Sequence, residues 1–496
     1  MSVPIDVSSR KQLFIDDRFI ADCKGLTLQM NLPIQHHEPV LVADKPWEEL
    51  GIGAYNTVFR EEDGRWRMWY DALMLTGLPS EGARRLAYAE SDNGIHWEKP
   101  ELGLIEFSGN KRNNLVVPHL EQQSMQGATV FRDERASISE RYKLWSKYLP
   151  SDIERRQGVE PGLWAMHSED GIHWQYYPGQ PNPSDTMCDT QNMFFWDDRL
   201  DCYVGYTRVK DTQMREEAAE AGQGRYRCVG RMTSPDFVHW SKLGITFEAD
   251  SQDLAITVPE KKDDPRPNID FYTSCAMKYE HAEDVYLMFP SAFYHWGQGD
   301  YPATMDVQLL TSRDGIAWNR MGNREPFLRS GVDGSASSGM LFANPWLIPE
   351  DDELWFYYSA TARKHGVLDE ALEERRELRM GGIYRSCIRR DGFVSADAAY
   401  DGGELITPTL IFSGNRLELN CDGSAGGWLQ VECQDSEKKP INGFTLGDAD
   451  AMVGNGISKM VSWNGNGDVS ALAGRPVRLR IIMRAMKLYA FQFAGS

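Results

Sequence analysis

The sequence contains no run of Lys and Arg and carries a formal net charge of −20 over 496 residues. Proteins that bind nucleic acid or an anionic membrane surface present a basic patch, so we expect neither partner. No apolar run reaches the length of about 18 residues that a transmembrane helix needs. The start Met-Ser-Val-Pro-Ile-Asp also lacks a basic stretch followed by an apolar core. We therefore expect a soluble cytoplasmic protein; a periplasmic or secreted location would require a signal that precedes Met1.

The eight cysteines stand singly, and no Cys-x-x-Cys pair occurs. Neither a zinc knuckle nor a redox motif is therefore indicated. His36 and His37 have no carboxylate partner at ligand spacing, so the sequence predicts no metal site and no cofactor.

What the sequence does contain is a repeated turn that ends in tryptophan. Its four copies are Ser91–Trp97, Ser168–Trp174, Ser234–Trp240 and Ser312–Trp318, and a decayed copy covers Arg390–Val394. The final tryptophans are separated by 77, 66 and 78 residues. Asp-Gly favours a turn, and tryptophan fills the space between packed sheets. Self-similarity at this period predicts a β-propeller with structural turns.

Short strand-like segments between these turns recur five times, which predicts an all-β, five-bladed propeller over residues 1–402. The strand Gln12–Asp16 is expected to close the ring by joining the last blade. From residue 403 to 496, alternating apolar residues predict a β-sandwich. Two insertions, Lys210–Gly224 and Arg363–Arg379, are expected to contain short helices on the substrate face. There they would narrow the pocket, which favours exo attack on the end of a substrate chain, or contact another subunit, which favours a homo-oligomer.

Propeller geometry places candidate residues at the mouth of the central channel, which we call the funnel. The innermost strand is the first of each blade, so residues at its start should line the funnel. They include Asn56 in the first repeat, Asp189 and Gln191 in the third, and Asp270 and Tyr272 in the fourth. Loops between the second and third strands emerge on the same face.

Carboxylates that converge on a polar funnel suit glycoside hydrolysis. One carboxyl must donate a proton to the leaving oxygen, while another acts on the anomeric carbon or its water. Asp189 and Asp270 are the predicted pair, although either could instead cap a loop backbone. Glu48 is the predicted third catalytic residue, with Glu49, Asp16 and Asp17 as alternatives. The predicted substrate-binding residues are Asn56, Trp47, Gln191, Arg208, Tyr272 and His295; Arg208 could bind substrate or pair with Asp189.

The repeated turns and the segments Tyr55–Phe59 and Gly64–Tyr70 resemble the five-bladed propeller glycoside hydrolases of families 32, 43 and 117. Leu13–Asp17 and Leu488–Phe493 resemble bacterial family-32-like proteins with a C-terminal β-sandwich. The resemblance implies hydrolysis of O-glycosyl bonds. Families 32 and 43 carry Asp where this chain has Asn56, and it has no Asn-Asp-Pro-Asn, Arg-Asp-Pro or Glu-Cys-Pro segment. Fructans and sucrose are therefore not the expected substrates.

The leading hypothesis is an exo-acting glycoside hydrolase on a terminal sugar of an oligo- or polysaccharide. Asn56 in place of Asp favours a second hypothesis, a propeller that binds carbohydrate without catalysis. A third hypothesis is a polysaccharide lyase that uses His295 or Tyr272 as its base. The products separate them, because hydrolysis yields a reducing end and a lyase yields an unsaturated sugar.

Overall fold

The computed structural model describes residues 3–74, 83–117, 124–150, 155–179, 189–210, 227–253, 269–296, 303–365 and 381–495. These residues are nearly all β, as predicted. Short 3-10 helices span Asp17–Phe19, Pro46–Glu48, Ile138–Glu140, Gly322–Arg324 and Ser470–Leu472. Within the described ranges, no helix has the length and apolarity to cross a membrane. The two predicted insertions fall largely outside the described residues.

The first three repeats form three separate antiparallel sheets, each built from consecutive strands. The first sheet contains Gly51–Arg60, Trp66–Met74 and Ala83–Ser91. The second contains Ser124–Arg132, Tyr142–Leu149, Gly162–Ser168 and Gln175–Tyr176. The third contains Met193–Asp197, Cys202–Lys210, Arg227–Ser234 and Gly244–Phe247. The strands predicted for these repeats are present.

The strands of the fourth repeat form two separate ladders. Its outer ladder contains Ala276–Lys278, Tyr286–Met288, Leu310–Ser312 and Asn319–Arg320, and its inner ladder contains Ile269–Phe271, Ser291–His295 and Ala303–Val307. The inner ladder joins the fifth sheet through a parallel pairing of Met305 with Met340. The fifth sheet contains Met340–Ala343, Ile348–Glu350, Glu353–Thr361, Gly382–Arg389 and Ile34–Leu41.

The prediction that Gln12–Asp16 closes the ring is wrong. Ile34–Leu41 pairs with Gly382–Arg389, whereas Gln12–Leu13 pairs with Phe491 and Ala490 near the C-terminus. The burial of the two segments explains the difference. Leu13, Phe14 and Ile15 are all buried, which suits a segment covered on both sides. Ile34–Leu41 is largely exposed and contains a proline, which suits the edge of a sheet.

Two further antiparallel sheets share one apolar core near the C-terminus. One contains Asn455–Met460, Arg416–Asp422, Met486–Ala494, Val394–Ala398, Leu26–Met30 and Gln12–Leu13. The other contains Asp22–Lys24, Gly403–Ile406, Arg478–Arg484, Trp428–Gln434 and Met452–Val453. Ile5–Ser8 pairs in parallel with Leu410–Phe412. The alternation predicted from Leu417 to Phe493 is confirmed by burial, although strands from the N-terminal part and Val394–Ala398 also join these sheets.

The repeated turns connect neighbouring sheets. In the copy at Ser168–Trp174, the Oδ1 atom of Asp170 accepts hydrogen bonds from the backbone N–H groups of Ile172 and His173. The next residue, Gly171, accepts a 2.6 Å hydrogen bond from the indole of Trp69 in the preceding sheet. The equivalent donors to Gly94 and Gly315 are Tyr357 and Tyr206. These contacts give the turns a structural role.

Candidate active site

Residues near the starts of the inner strands meet in space, as the propeller geometry predicts. The phenol of Tyr55 in the first sheet donates to Thr190 Oγ1, just before the third sheet, at 3.2 Å. The rings of Tyr55 and Tyr272 each lie 6.0 Å from Phe342 of the fifth sheet. We call the following group the polar cluster: Tyr55, Asp189, Arg208, Arg227, Asp270, Tyr272, His295 and His365.

Asp189 is the accessible carboxylate of the polar cluster, with 33% of its side chain exposed. It forms an ion pair with Arg208, and Lys147 Nζ lies 3.9 Å from its Oδ2 atom. Neighbouring cations stabilise the charged form of a carboxylate. The pairing considered from the sequence, Arg208 with Asp189, is therefore present.

Asp270 is fully buried and accepts hydrogen bonds at Oδ2 from the side chain of Arg227 at 3.0 Å and from its backbone N–H at 3.2 Å. His295 Nε2 lies 3.3 Å from the same oxygen. Burial acts to raise the pKa of Asp270, but the hydrogen bond from His295 and the charge of Arg227 outweigh it and lower that pKa. Asp270 is thus suited to hold Arg227 and His295 in place and unsuited to donate a proton.

The ring of Tyr272 lies between the two ion pairs. The guanidinium carbons of Arg208 and Arg227 lie 4.6 and 5.2 Å from its centroid. Its hydroxyl lies 3.1 Å from Nε2 of His365. The structure therefore connects the predicted residues Asp189, Asp270 and Tyr272 through side chains from several sheets.

Tyr55, Arg227 and His365 complete the polar cluster but are not among the predicted site residues. His365 lies four residues after Glu353–Thr361, the second strand of the fifth sheet. Arg208 and His295 were selected because they lie near the ends of second strands, and the loops that follow these strands emerge on the funnel face. The same reasoning could have identified His365. Arg227 starts a third strand, and nothing in the local sequence distinguishes it from other arginines.

Glu48 lies in a different environment from the polar cluster. Its Oε1 accepts a 2.6 Å hydrogen bond from Tyr70, and its Oε2 lies 2.8 Å from Lys99 Nζ. The backbone N–H groups of Asp44 and Lys45 also donate to Oε2. This fully bonded, buried carboxylate favours a structural role over the predicted catalytic one. Its neighbour Trp47 is also buried and donates to Asn114 at 2.7 Å.

Asn56 and Gln191 connect sheets near the inner strands. The side chain of Gln191 donates to the backbone oxygen of Asn56 at 2.9 Å. The Asn56 backbone N–H donates to Asn344, and its side chain donates to Ser359. Both residues are buried, so these contacts favour structural roles over the predicted substrate contacts.

Within the described ranges, no group of three or more His, Cys, Asp or Glu side chains is arranged to hold a metal ion.

The chain matches no protein-family model and no curated protein. Similar solved structures include a Bombyx mori family 32 β-fructofuranosidase, with 12% identity, a TM-score of 0.41 and coverage of 90% of this chain and 91% of that one. A Bacillus subtilis family 43 arabinoxylan arabinofuranohydrolase has 11% identity, a TM-score of 0.37 and coverage of 90% and 96%. An N-acetylgalactosamine deacetylase from F. plautii has 13% identity, a TM-score of 0.45 and coverage of 74% and 96%. Glycoside hydrolases of families 32 and 43, named in the resemblance above, are thus among the similar structures.

Proposed function

We propose that this chain is a glycoside hydrolase that removes a terminal sugar from an oligo- or polysaccharide at the polar cluster. The observation that carries the proposal is the position of Asp189. It is a partly exposed carboxylate between two cations, beside a ring of buried aromatic and charged side chains. An ionised, accessible carboxylate is the group that must act on the anomeric carbon or on its attacking water.

The five sheets are proposed to be five blades around one channel, followed by a β-sandwich of residues 403–496 that is completed by N-terminal strands and Val394–Ala398. The hydrogen bond from Tyr357 in the fifth sheet to Gly94 in the first supports closure of such a ring. The contact between Tyr55 and Thr190 supports convergence of the inner strands. A site at the mouth of this channel follows from that arrangement.

Within the site, Asp270 is assigned a positioning role. Its carboxylate bonds Arg227 and contacts His295, whereas Arg208 pairs with Asp189. Sugar hydroxyls require such fixed donors, and charge-assisted hydrogen bonds give them a defined geometry. Arg208, Arg227 and His295 are the groups proposed to orient the sugar.

The test is a screen of aryl glycosides and plant or algal oligosaccharides at several pH values, with identification of every product. Asp189→Asn should lower turnover about 10²–10⁴-fold, the usual effect of removing a proton-transfer group. Asp92→Asn, at an exposed carboxylate in the first tryptophan turn, is the matched control and should retain turnover. Sugar binding without turnover by the wild type would contradict hydrolysis and favour the carbohydrate-binding hypothesis.

A second candidate function is a polysaccharide lyase, favoured by the hydrogen bond between Tyr272 and His365. A tyrosine paired with histidine and flanked by two guanidinium groups could remove a proton beside a sugar carboxylate. An unsaturated product in the same screen would support this reaction, whereas a new reducing end without unsaturation would support hydrolysis.

A further inference from the structure

Asp71 is a buried carboxylic acid beside the polar cluster. It lies on Trp66–Met74, the second strand of the first sheet, and its side chain is 2% exposed. The neighbouring inner strand is irregular between Ile52 and Asn56, opposite this residue. A Cβ at Gly53 in that irregular segment would lie only 2.5 Å from the Cβ of Asp71. Glycine at position 53 therefore makes room for the carboxyl, and β-bulges of this kind often accompany active sites.

A short chain of contacts connects Asp71 to Asp189. The backbone N–H of Gly127 donates to the Asp71 carboxyl. Gly127 has a φ of +71°, and a Cβ there would lie 2.1 Å from the carbonyl oxygen of Thr190. Thr190 directly follows Asp189 and accepts the hydrogen bond from Tyr55. Arg84, whose Nη1 atom lies 3.8 Å from the Asp71 carboxyl, also interacts electrostatically with Tyr55, so Asp71 lies beside the polar cluster.

The surroundings of Asp71 favour its neutral form. Burial raises its pKa to about 7, although the charge of Arg84 and the Gly127 hydrogen bond act in the opposite direction. Arg84 Nη1 lies 3.8 Å from Oδ2, which is too far for a hydrogen bond. Among the described residues, Oδ2 has no hydrogen-bond partner. Asp71 can therefore carry a proton on Oδ2, which accepts no hydrogen bond from the described residues.

We propose, on the basis of the hydrolase function above, that Asp71 is the general acid that protonates the leaving glycosidic oxygen. As the glycosidic C–O bond breaks, its electron pair stays on that oxygen, which takes the proton from Asp71. The oxygen of a water molecule forms the new bond to the anomeric carbon and gives one proton to Asp189. Exchange with solvent then returns a proton to Asp71 and removes the one on Asp189. One water is consumed, and no oxidant, reductant or metal is needed.

The assignment of Asp71 as the acid and Asp189 as the base agrees with the different electrostatic surroundings of the two carboxyls. Asp189 is partly exposed beside Arg208 and Lys147, which stabilise its anion, whereas Asp71 is buried, and its burial outweighs the charge of Arg84. Glycosidases separate their acid from their base by such differences in environment. Asp270 cannot serve as this acid, because Arg227 and His295 stabilise its anion.

The test compares Asp71→Asn with wild type on phenyl and dinitrophenyl glycosides of the sugar that the screen identifies. A dinitrophenolate leaves without protonation, so the variant should approach wild-type turnover on that substrate. On the phenyl glycoside it should lose about 10²–10⁴-fold. Asp306→Asn is the matched control, because burial also raises the pKa of Asp306 to about 7, yet its carboxyl contacts Tyr294 outside the polar cluster. It should retain wild-type turnover on both substrates.

Equal losses on both substrates, or no loss, would overturn the assignment of Asp71 while leaving hydrolysis intact. If wild type hydrolyses no glycoside, the proposed function and this assignment both fail. If Asp71→Asn does not fold, the pH dependence of wild-type kcat/KM decides the question. The alkaline limb should be present with the phenyl glycoside and absent with the dinitrophenyl glycoside, and the same limb with both substrates would overturn the assignment.

Discussion

The hydroxyl of Tyr272 and Nε2 of His365 lie 3.1 Å apart, although 93 positions separate the two residues in the chain. Tyr272 directly follows Ile269–Phe271 in the inner ladder of the fourth repeat, and His365 follows Glu353–Thr361 of the fifth sheet. Backbone hydrogen bonds between His365 and Ala303 hold the histidine against the fourth repeat. This contact joins two repeats at the polar cluster. Removing the Tyr272 hydroxyl therefore tests whether the reaction is hydrolysis or elimination.

Tyr272→Phe removes the hydroxyl and keeps the ring between Arg208 and Arg227. If the reaction is hydrolysis by carboxylates, turnover should fall about tenfold or less, the equivalent of one ordinary hydrogen bond. If Tyr272 is the base of a lyase, turnover should fall about 10²–10⁴-fold. The measurement is initial rate on the screened substrate, with Tyr294→Phe as a control phenol outside the polar cluster. A loss in the larger range would contradict our hydrolase proposal.

Asp270→Asn should mainly destabilise the protein. Arg227, with a side chain that is 7% exposed, would lose the charge of its buried partner Asp270. Breaking a buried ion pair in this way costs about 3–5 kcal/mol of unfolding free energy. Urea denaturation should detect this loss, whereas Asp189→Asn should lose much less, because Asp189 is partly exposed. A stable Asp270→Asn protein with greatly reduced turnover would instead support the catalytic role predicted from the sequence.

The parts of the fold that the sequence predicts are those set by local pattern. Leu417, Leu419 and Cys421 alternate with more polar residues, and all three are buried as a period of two requires. Asp189 and Tyr272 were selected because the start of an inner strand faces the channel in a propeller, and the structure places both against Arg208. The closing strand was not predictable in this way, since Gln12–Leu13 and Ile34–Leu41 both read as strands and only their distant partners differ.

The role of Glu48 shows the same limit within the site. Its donors Tyr70 and Lys99 lie 22 and 51 positions away, so the local segment Lys45–Glu49 gives no sign that the carboxylate is already bonded. Asp71 shows the opposite case. Its raised pKa comes from burial, and the close approach of Gly53 to its side chain is a property of the folded chain.

Glu48→Gln should reduce stability and leave turnover per folded molecule unchanged. The buried ammonium of Lys99 would lose its fully buried carboxylate partner and keep the half-exposed Asp44 and the backbone oxygen of Val42. We expect a loss of about 1–3 kcal/mol in unfolding free energy, measured by urea denaturation. The control is Glu101→Gln, which changes an exposed carboxylate. Normal stability combined with a loss of turnover of a hundredfold or more would show that Glu48 is catalytic.

The pH dependence of stability tests the buried state of Asp71 without any substrate. Its pKa rises from 3.8 in the unfolded chain to about 7 in the folded chain, because burial disfavours the anion. Between these values the native state binds more protons than the unfolded state. The stabilising contribution of Asp71 is therefore complete below pH 3.8 and is lost as the pH rises to about 7, by up to about 1.4 kcal/mol per pH unit.

Asp71→Asn removes this ionisation and leaves every other titrating group in place. The unfolding free energy of wild type minus that of the variant should therefore be largest near pH 4, decrease steadily toward pH 7 and change little above it. Urea denaturation of both proteins at several pH values measures the difference. Asp270, with its lowered pKa, and Asp306, with its raised pKa, are present in both proteins, so their contributions drop out of it. A difference that stays constant from pH 4 to pH 7 would mean that Asp71 is ionised in the native protein. An ionised Asp71 could not serve as the acid of the proposed reaction.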